Sequence, residues 1–487
     1  MIQSVKFKKI EVIKTIPMHK TVRKDIFLLF VILIIAAFVR FYHLSEMANF
    51  DFDQEYAVNF AYSVTRVFPI QLIGQPLSVE GLFMGPLYFY YLVPFFAVSG
   101  LHPLGGFAGS AVLGLITTTA YFFIGKKLFG IKAGLIAALI RSFLFTELIH
   151  DLSMTPAYAC ELLVLLTWWA FYKYWHGEIK NNSSDKLFPF LGFLFGLYTS
   201  IHPILFPFYL VFIILILIKR ELPKLKTTVL SFIACLIPTL PLLVFEYLHQ
   251  FLEVKKLFSL FTEPTSEPKN LSRLTHYLWF NLSEPQRILS LQSLPKELFS
   301  ILFLGLIIFL IIKKIGVFQH NFHKIMLFTT YFVFIIYYTL FPTHVPEYYF
   351  LALTTLSLLY ISAVLALLIN KRAGLIVCGL LLINIIFTNS QKIYEKWTNP
   401  SLITLYHKDF IVKKILERQP KNEEFFVSYI SLPGWVNGFN YLFKLYGQVP
   451  QTREASPPVY TIVIPKFLVS EKDMNFTSGN IGLILPE

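Results

Sequence analysis

The chain has 487 residues, of which 55% are hydrophobic and 15% are charged, and its mean hydropathy is +0.61. Soluble domains carry roughly 25% charged residues, so this composition excludes a single water-soluble globule. Lys and Arg number 42 against 29 Asp and Glu, a formal net charge of +13. In so apolar a chain, this excess indicates membrane topology rather than a nucleic-acid partner. The composition predicts an integral membrane protein.

Apolar runs recur along most of the chain. A helix needs about 20 apolar residues to cross the hydrocarbon core of a bilayer. Searching for runs near that length predicts membrane-spanning helices near residues 26–43, 82–99, 104–125, 131–148, 154–172, 188–201, 203–218, 227–248, 298–312, 325–342, 348–369 and 373–390.

A basic leader precedes the first apolar run, with Lys6, Lys8, Lys9, Lys14, Lys20, Arg23 and Lys24 against Glu11. Basic residues stay cytoplasmic, so the leader predicts an N-terminus in the cytoplasm. No small-residue cleavage site follows, which indicates a retained anchor rather than a signal peptide. From residue 126 onward, alternation puts the short basic connections on the same side, at Lys126/Lys127/Lys132, Lys173/Lys180/Lys186, Lys219/Arg220/Lys224/Lys226, Lys313/Lys314/Lys324 and Lys371/Arg372.

One segment conflicts with simple alternation. If 26–43 crosses the membrane, 82–99 and 104–125 cannot both cross it fully. The weaker candidate is 82–99, which Pro86 and Pro94 interrupt, and we expect it to be short, tilted or partly re-entrant. A full crossing there would mean that another segment fails to cross. The favoured arrangement has about eleven crossings, with the N-terminus inside and the C-terminus outside.

The charge and composition divide the chain into three parts. They are a basic leader (1–25), a transmembrane domain (26–390) and a small extracytoplasmic domain (391–487). The transmembrane domain has a first outer loop at 44–81 and a long, Pro-rich outer loop at 249–297. In the last part, Lys408–Glu417 reads as an amphipathic helix, and Phe425–Ile430 and Tyr460–Ile464 read as strands. The predicted fold class is an all-α polytopic membrane protein with a small C-terminal α/β domain.

The first outer loop carries three carboxylates within five residues, Asp51, Asp53 and Glu55. Carboxylates so close repel one another, so at least one needs a cation, a hydrogen-bond network or a raised pKa. A carboxylate held beside a bilayer suits general-base work on an acceptor hydroxyl or amine. The structural alternative is an acidic first turn for a helix starting near Gln54, which the helix dipole favours.

The sequence gives little support for a metal or cofactor. Asp51-Phe52-Asp53 is formally a DxD pair that could hold a divalent cation, but two carboxylates do not specify a metal. The three cysteines lie in apolar runs and predict neither a disulfide framework nor zinc ligation. No phosphate-binding or dinucleotide fingerprint occurs, so ATP or NAD has no support.

Other polar residues between apolar runs fall on the predicted outer side. They are Asp151 in Glu147-x-x-His150-Asp151, His202 before Pro203, and His344 ahead of Glu347. Ionisable groups at membrane depth are costly and usually face a cavity or a partner, which makes these residues candidates for substrate binding. A satisfied core histidine at His202, and solvated loop residues elsewhere, are the structural alternatives.

The order of these features resembles a family. A basic leader and anchor precede Arg-Phe-Tyr-x-x-Leu at 40–44, an acidic loop with Asp53-Gln54, and Gly85-Pro86-Leu87-Tyr88-Phe89-Tyr90-Tyr91-Leu92. The chain thus resembles the polytopic GT-C glycosyltransferases, above all bacterial relatives of the dolichyl-phosphate-mannose protein mannosyltransferases and the aminoarabinose transferases of lipid A. The Gly196…His202-Pro203 break and His344-x-x-Glu347-Tyr348-Tyr349 are further similarities. One departure is Met84-Gly85-Pro86, where both groups carry a basic residue.

The resemblance implies a polyprenyl-phosphate sugar donor, an outer-face reaction and Asp53 as catalytic base, with Asp51 the neighbour most easily confused with it. A departing phosphate gains negative charge, so a basic group should meet it. The candidates, which could equally be interfacial anchors, are Arg40, Arg66, Lys255, Lys256, Arg273 and Arg287. The full set of candidate substrate-binding residues is Glu55, Arg40, His202, Tyr88, Asp151, His344 and Arg273.

These observations predict a multi-pass membrane glycosyltransferase. It would move a sugar from the lipid donor to a glycan, lipid or protein acceptor, with inversion at the anomeric carbon as the resemblance implies. The alternative from another class is a polytopic carrier or flippase for a lipid-linked solute. Carriers typically have matching halves with interrupted helices and a charge at the midplane. Here the acidic residues cluster at one face, and a domain is appended. An inactive relative acting as a scaffold also stays open.

Overall fold

The computed structural model describes residues 18–77, 79–177, 184–262, 271–399, 402–421, 423–451 and 458–486. Residues 1–17 of the predicted leader, and Lys180 of one basic connection, lie outside the described residues. In the described part, the α-helices are α1 (Met18–Phe41), α2 (Leu44–Met47), α3 (Phe52–Arg66), α4 (Leu87–Val98), α5 (Pro103–Phe129), α6 (Ile131–Phe143), α7 (Phe145–Asp151), α8 (Pro156–His176), α9 (Ser184–Ile201), α10 (Pro207–Lys219), α11 (Leu225–Leu248), α12 (Leu252–Thr262), α13 (Leu271–Ile288), α14 (Lys296–Ile312), α15 (Asn321–Leu340), α16 (Leu351–Leu368), α17 (Arg372–Thr398), α18 (Leu405–Leu416) and α19 (Phe439–Leu445).

The predicted helical membrane domain is confirmed. Within the described residues, five helices are long and apolar enough to span a bilayer: α5, α11, α15, α16 with the preceding 3₁₀ turn, and α17. A sixth span results if α6 and α7, which meet at 71°, count as one broken helix. Three further apolar helices are shorter than a full crossing requires, at Leu87–Val98, Lys186–Ile201 and Pro203–Lys219. The number of about eleven crossings therefore stays a prediction.

Two helix breaks coincide with the sequence features that predicted them. The 82–99 segment forms only the 12-residue α4, which contains Pro94. At about 1.5 Å per residue, α4 is too short for a bilayer core of about 30 Å. At His202-Pro203 the helix stops, because proline removes a backbone donor, and a short 3₁₀ turn leads into α10. Both breaks lie at the end of the helical bundle that carries the predicted site.

The C-terminal part folds as the predicted α/β unit. Its strands are β1 (Phe426–Ser431), β2 (Val459–Ile464), β3 (Phe476–Ser478) and β4 (Ile481–Ile484), in the order β1-β2-β4-β3. β1 and β2 pair in parallel, with Phe426 opposite Val459, and β4 pairs antiparallel with both β2 and β3. The helix and two strands predicted from the sequence are α18, β1 and β2.

This C-terminal unit packs directly against the first loop of the membrane domain. One hydrophobic cluster contains Phe50 and Phe60 of the first loop, Phe89 of α4, and Phe439 and Ile462 of the C-terminal unit. The amide of Leu405 also donates to the carbonyl of Ala48 at 2.8 Å. We call this end of the helical bundle the domain end.

Candidate active site

The acidic first loop begins helix α3 at the domain end. Asp51 is the N-cap residue, and its carboxylate accepts from the backbone of the third helical position. That position is Gln54, whose side-chain oxygen accepts from the Asp51 amide at 3.0 Å. This reciprocal pair satisfies two backbone donors that a helix start leaves open. Part of the acidic cluster therefore has the helix-starting role that was its structural alternative.

Asp51 also binds the C-terminal unit. The ammonium of Lys408 on α18 lies 2.9 Å from Asp51 Oδ1 and donates to the carbonyls of Phe50 and Asn437, both at 2.7 Å. Lys408 is fully buried. Burial lowers the pKa of Lys408, while the charge of Asp51 opposes that shift. Three acceptors match the three hydrogens of an ammonium, so Lys408 is fully used in holding the loop.

Glu55 is occupied in a different way. Its two carboxylate oxygens accept from the amides of Gly438, at 2.8 Å, and Tyr441, at 3.0 Å. These amides lie at the start of α19, where helix donors lack internal partners and the dipole favours an anion. Glu55 therefore ties α3 to the C-terminal unit, as Asp51 does.

Asp53 differs from Asp51 and Glu55. Within the described residues it is bound neither by a cation nor by the backbone amides of a helix start. Its Oδ1 accepts from the side-chain amide of Gln75 at 2.5 Å. Gln75 is 6% exposed, and its own amide oxygen has no hydrogen-bond partner within the described chain. Asp53 itself is partly exposed. A carboxylate with a neutral partner and access to a cavity has free lone pairs for a substrate proton.

The cavity beside Asp53, which we call the Asp53 cleft, has a volume of about 300 Å³. Its wall combines the first loop, the α7–α8 connection and the end of α17. The lining residues are Met47, Asn49, Asp51, Phe52, Asp53, Gln54, Ile149, Leu152, Ser153 and Lys396.

A second cavity, the apolar groove, has a volume of about 440 Å³. Its walls come from α11, α12, α15 and the loop at 343–346. Three of its lining residues, Leu243, Leu257 and Phe261, expose more than 40% of their surface. A groove open on its side through such residues suits an apolar chain that enters from a bilayer.

The segment 74–77 connects the cleft to the groove. It pairs with 82–84 through bonds between Gly74 and Met84, 2.7 Å, and between Leu77 and Leu82, 2.8 Å. Gln75 of this segment donates to Asp53, and Leu77 lines the groove. Two residues of extended chain cover about 7 Å. Asp53 in the cleft wall is therefore connected through Gln75 to a segment that reaches the groove, and we call this connection the junction.

Aromatic rings line the other side of this junction. Tyr158 stacks on His150 at 3.8 Å between ring centroids, and lies 6.3 Å from the ring of Tyr348. Both tyrosines lie within electrostatic range of the Asp53 carboxylate. His202 packs edge-on against both Tyr348 and Tyr349, with ring centroids 6.0 and 5.7 Å apart. Its Nδ1 accepts from the amide of Ile204, and it is 1% exposed. His202 is therefore a buried helix cap behind the tyrosines.

Arg40 and Asp151 belong to a buried charge network. Arg40 Nε lies 2.7 Å from Asp151 Oδ2, and Asp151 also binds Arg141. Arg141 reaches Glu161 at 2.8 Å, and Tyr121 donates to Glu161 at 2.7 Å. All five side chains are buried. Two guanidinium groups and two carboxylates compensate one another, so their first partners are each other rather than a ligand.

The remaining predicted residues are dispersed. Tyr88 is buried, with its hydroxyl 3.2 Å from that of Ser110. Arg273 is buried and donates to the carbonyl of Phe341 at 2.8 Å, near the apolar groove. His344 is exposed at the groove, 5.6 Å from the ring of Tyr277. The structure thus brings Asp51, Asp53 and Glu55 together and puts His344 and Arg273 by the groove.

Gly85, the residue after Met84 at this departure from the family pattern, packs directly on the backbone of α9. A Cβ at Gly85 would lie 2.5 Å from the carbonyl oxygen of Ser200 and 2.6 Å from its Cα. Backbone cannot yield at such a distance, so this position accepts no side chain.

Three residues of this site were not among the sequence candidates. Gln75 holds Asp53, Lys408 holds Asp51, and Lys396 lines the Asp53 cleft. Lys396 lies in the last turn of a long apolar helix, and Lys408 has an apolar position in an amphipathic one. A lysine at such a position was a signal in the sequence for a buried or site-facing charge. The sequence does not identify the partners of these two lysines, because they lie hundreds of residues away.

No group of three or more His, Cys, Asp or Glu suited to a metal ion occurs among the described residues. The formal DxD pair is divided between two partners, because Lys408 binds Asp51 and Gln75 binds Asp53. A metal requirement gains no support from this arrangement.

A helical membrane domain with a small α/β unit seated on its acidic first loop defines the class, a polytopic membrane protein of GT-C-like fold. A family model described as dolichyl-phosphate-mannose-protein mannosyltransferase matches residues 84–245. None of the curated protein sequences matches the chain. The family match over this part of the chain and the fold together confirm the predicted resemblance to the GT-C group.

Solved structures are similar over almost the whole chain. ArnT from Cupriavidus metallidurans, bound to undecaprenyl phosphate, has a TM-score of 0.58 at 10% identity, covering 96% of this chain and 98% of its own. Its apo structure has a TM-score of 0.59 at 10% identity, covering 95% and 98%. The oligosaccharyltransferase of Archaeoglobus fulgidus has a TM-score of 0.49 at 12% identity, over 88% and 64%. At these identities the ArnT similarity establishes the fold.

Proposed function

We propose that this protein transfers a sugar from a polyprenyl-phosphate donor to an acceptor at the outer face of the membrane, with Asp53 as general base. The observation that carries the proposal is that three neighbouring carboxylates have different partners. Lys408 binds Asp51, the start of α19 binds Glu55, and Asp53 has one neutral partner and faces a cavity. Asp53 is therefore the residue of the cluster that is free to accept a proton.

The apolar groove supports a lipid-linked donor. Its exposed lining of Leu243, Leu257 and Phe261 matches a polyisoprenoid chain, and the groove lies one short segment from Asp53. The similar ArnT structure is one bound to undecaprenyl phosphate. With the lipid in the groove, the sugar of the donor would lie at the junction, next to Tyr348 and Tyr349.

The proposed reaction is a single displacement. The acceptor oxygen forms a bond to the anomeric carbon, while the bond from that carbon to the phosphate oxygen breaks. The electron pair leaves with the polyprenyl phosphate, and the proton of the acceptor moves to Asp53. Attack in line with the leaving phosphate inverts the linkage. General-base help of this kind contributes about 10²- to 10⁴-fold to the rate.

The test is transfer by the purified full-length protein, reconstituted with radiolabelled polyprenyl-phosphate sugars and a membrane extract as acceptor. We expect Asp53→Asn to lower transfer by about 100-fold or more. Glu80→Gln is the matched control, because Glu80 is an exposed carboxylate of the same loop. It should retain wild-type transfer. Asp51→Asn should keep most of its activity per folded molecule.

Transfer by Asp53→Asn at the wild-type rate would remove Asp53 from the role of base. The linkage of the product, determined by NMR, tests inversion separately. Movement of the labelled lipid across the bilayer without any transfer would instead support the carrier alternative.

The proposal also requires the domain end to face outward. We expect a membrane-impermeant maleimide to label Glu80→Cys in intact cells, and Lys132→Cys only after permeabilisation. Both positions are exposed, whereas the native Cys160 and Cys378 are buried and the half-buried Cys235 lies inside the apolar helix α11. Labelling of Lys132→Cys alone in intact cells would reverse the orientation and the face of the reaction.

A further inference from the structure

Lys396 is a cation in the Asp53 cleft that the proposed mechanism does not use. It lies in the last turn of α17, a 27-residue helix. At about 1.5 Å per residue this helix is roughly 40 Å long, more than the bilayer core of about 30 Å, so its end projects beyond the apolar region. The next residue, Trp397, packs on Tyr42 with ring centroids 4.9 Å apart. The end of α17, and Lys396 with it, is thus fixed against the start of the first loop.

The ammonium of Lys396 has one neutral partner among the described residues, Asn49 Oδ1 at 3.3 Å. The charge of Asp51 acts on Lys396 across the cleft, but Lys408 already binds that carboxylate. Each lysine ammonium has three hydrogens to donate. The cleft therefore holds a carboxylate, Asp53, and an ammonium, Lys396, that each have an amide partner and are not paired with each other.

The position of the groove decides which substrate Lys396 would meet. If the donor lipid occupies the groove, its phosphate leaves toward the groove. Attack in line with that departure brings the acceptor from the opposite side of the anomeric carbon, where the Asp53 cleft lies. Lys396 lines the cleft and has no part in the groove. Its charge thus faces the acceptor rather than the departing phosphate.

We propose that the Asp53 cleft binds an acceptor that carries a phosphate or carboxylate near the attacked hydroxyl, and that Lys396 binds that anionic group. The inference rests on the proposed function. It deepens that function by assigning the acceptor a chemical class and by adding a residue that selects it. Lysine suits the binding of either anion, because its compact ammonium group donates hydrogen bonds without requiring a fixed geometry.

Lys396 also allows an anionic acceptor to bind beside the carboxylate of Asp53. An anionic acceptor would be repelled by Asp53 on its own, because like charges within a few ångströms disfavour each other. Lys396, which lines the same cleft, offsets that repulsion. A neutral acceptor would leave a partly buried ammonium with a single amide partner, which is the less favourable arrangement.

The binding test uses protection of lysines from acetylation, measured by mass spectrometry on the full-length protein in nanodiscs. The probes are glucose 6-phosphate and glucuronate, with glucose as the neutral control. We expect the anionic probes to slow acetylation of Lys396 by about tenfold, as a charge-assisted contact would. Lys392, one turn earlier on α17 and outside the cleft lining, should be unaffected. The two probes distinguish a phosphate from a carboxylate ligand.

Equal protection by glucose, or equal protection of Lys392, would overturn the inference. So would unchanged acetylation with both anions. In the transfer assay, Lys396→Gln should raise the KM for the acceptor about tenfold with the donor KM unchanged, and Lys396→Arg should restore part of it. A higher donor KM instead would also refute the acceptor role.

Failure of the proposed function is separable from failure of this inference. Asp53→Asn should lose transfer while keeping the protection of Lys396, because it removes the base and not the ammonium. A wild-type protein that shows protection without any transfer would contradict the reaction alone. Transfer that is insensitive to Lys396→Gln would contradict the acceptor site alone.

Discussion

Lys408 Nζ lies 2.9 Å from Asp51 Oδ1, and this contact joins residues 357 positions apart in the chain. It connects the first loop of the membrane domain to α18 of the C-terminal unit. Because Glu55 makes a second connection to α19, α3 is held from two sides, with Asp53 between the two anchors. The C-terminal unit thus acts as a clamp that fixes the orientation of the candidate base.

Replacing Lys408 should loosen this clamp. Lys408→Met leaves the buried carbonyl of Phe50, the half-buried carbonyl of Asn437 and Asp51 without their donor, and we expect a loss of about 2 kcal/mol in the free energy of unfolding. Lys413→Met is the matched control, since Lys413 lies on the same helix and pairs with Asp409 at a side-chain exposure of 53%. Exposed pairs contribute roughly 0–1 kcal/mol. Thermal unfolding in detergent measures both variants, and equal losses would contradict the clamp.

The buried network around Asp151 should likewise contribute to stability. Asp151→Ala leaves Arg40 and Arg141 with Glu161 as their shared acid, and removing one partner of a buried pair costs about 3–5 kcal/mol. Glu347→Ala, at an exposed position, should change stability by less than about 0.5 kcal/mol. Unfolding midpoints and the donor KM are measured on both variants. A normal midpoint with a raised donor KM would instead give Asp151 the substrate-binding role considered from the sequence.

The sequence predicted features that depend on neighbouring residues. Apolar runs predicted the helices, prolines predicted the short α4 and the break at His202, and the changed composition after residue 391 predicted β1 and β2. It did not predict the partners of the acidic cluster. Asp51 and Glu55 are bound by residues more than 350 positions away, so local spacing could not distinguish them from Asp53 as a candidate base.

The same limit applies to the basic candidates. Arg40 was a candidate for the donor phosphate because it is a basic residue at the predicted outer end of the first apolar run, a position that also suits a buried ion pair. Lys396 was not considered, since it reaches the cleft only through the packing of α17 against the first loop. In both cases burial and long-range contact, not residue type, determine which charges are available to a ligand.

A charge in the apolar groove should weaken binding of the donor lipid. Leu257 on α12 lines the groove, while the adjacent Phe258 is 71% exposed and does not. Leu257→Arg puts a guanidinium where the polyisoprenoid would lie, and we expect the donor KM to rise at least about tenfold. Phe258→Arg, with the same added charge on the other face, should leave the KM within about twofold. Equal effects of the two variants would exclude the groove as the lipid site.

The helix α12 that covers this groove should respond to pH. Its Glu253 has a carboxylate oxygen without a partner in the described chain. Burial, with the nearby charge of Glu246, raises the pKa of Glu253 from 4.5 to about 7. Between about pH 4.5 and pH 7, Glu253 therefore stays protonated while α12 is closed and releases its proton when α12 opens. The protonated group stabilises closed α12 fully below about pH 4.5, and this contribution is lost as the pH rises through about 7.

Hydrogen exchange over Leu252–Thr262, corrected for the intrinsic pH dependence of exchange, measures this effect. We expect protection in the wild type to fall about threefold to tenfold between pH 5.5 and 8, a modest change because the side chain is partly solvated. Glu253→Gln cannot lose a proton, so its protection should stay constant over this range. Lys255→Gln, an exposed change on the same helix, should keep the wild-type dependence. If Glu253→Gln follows the wild-type curve, another group controls the opening of α12.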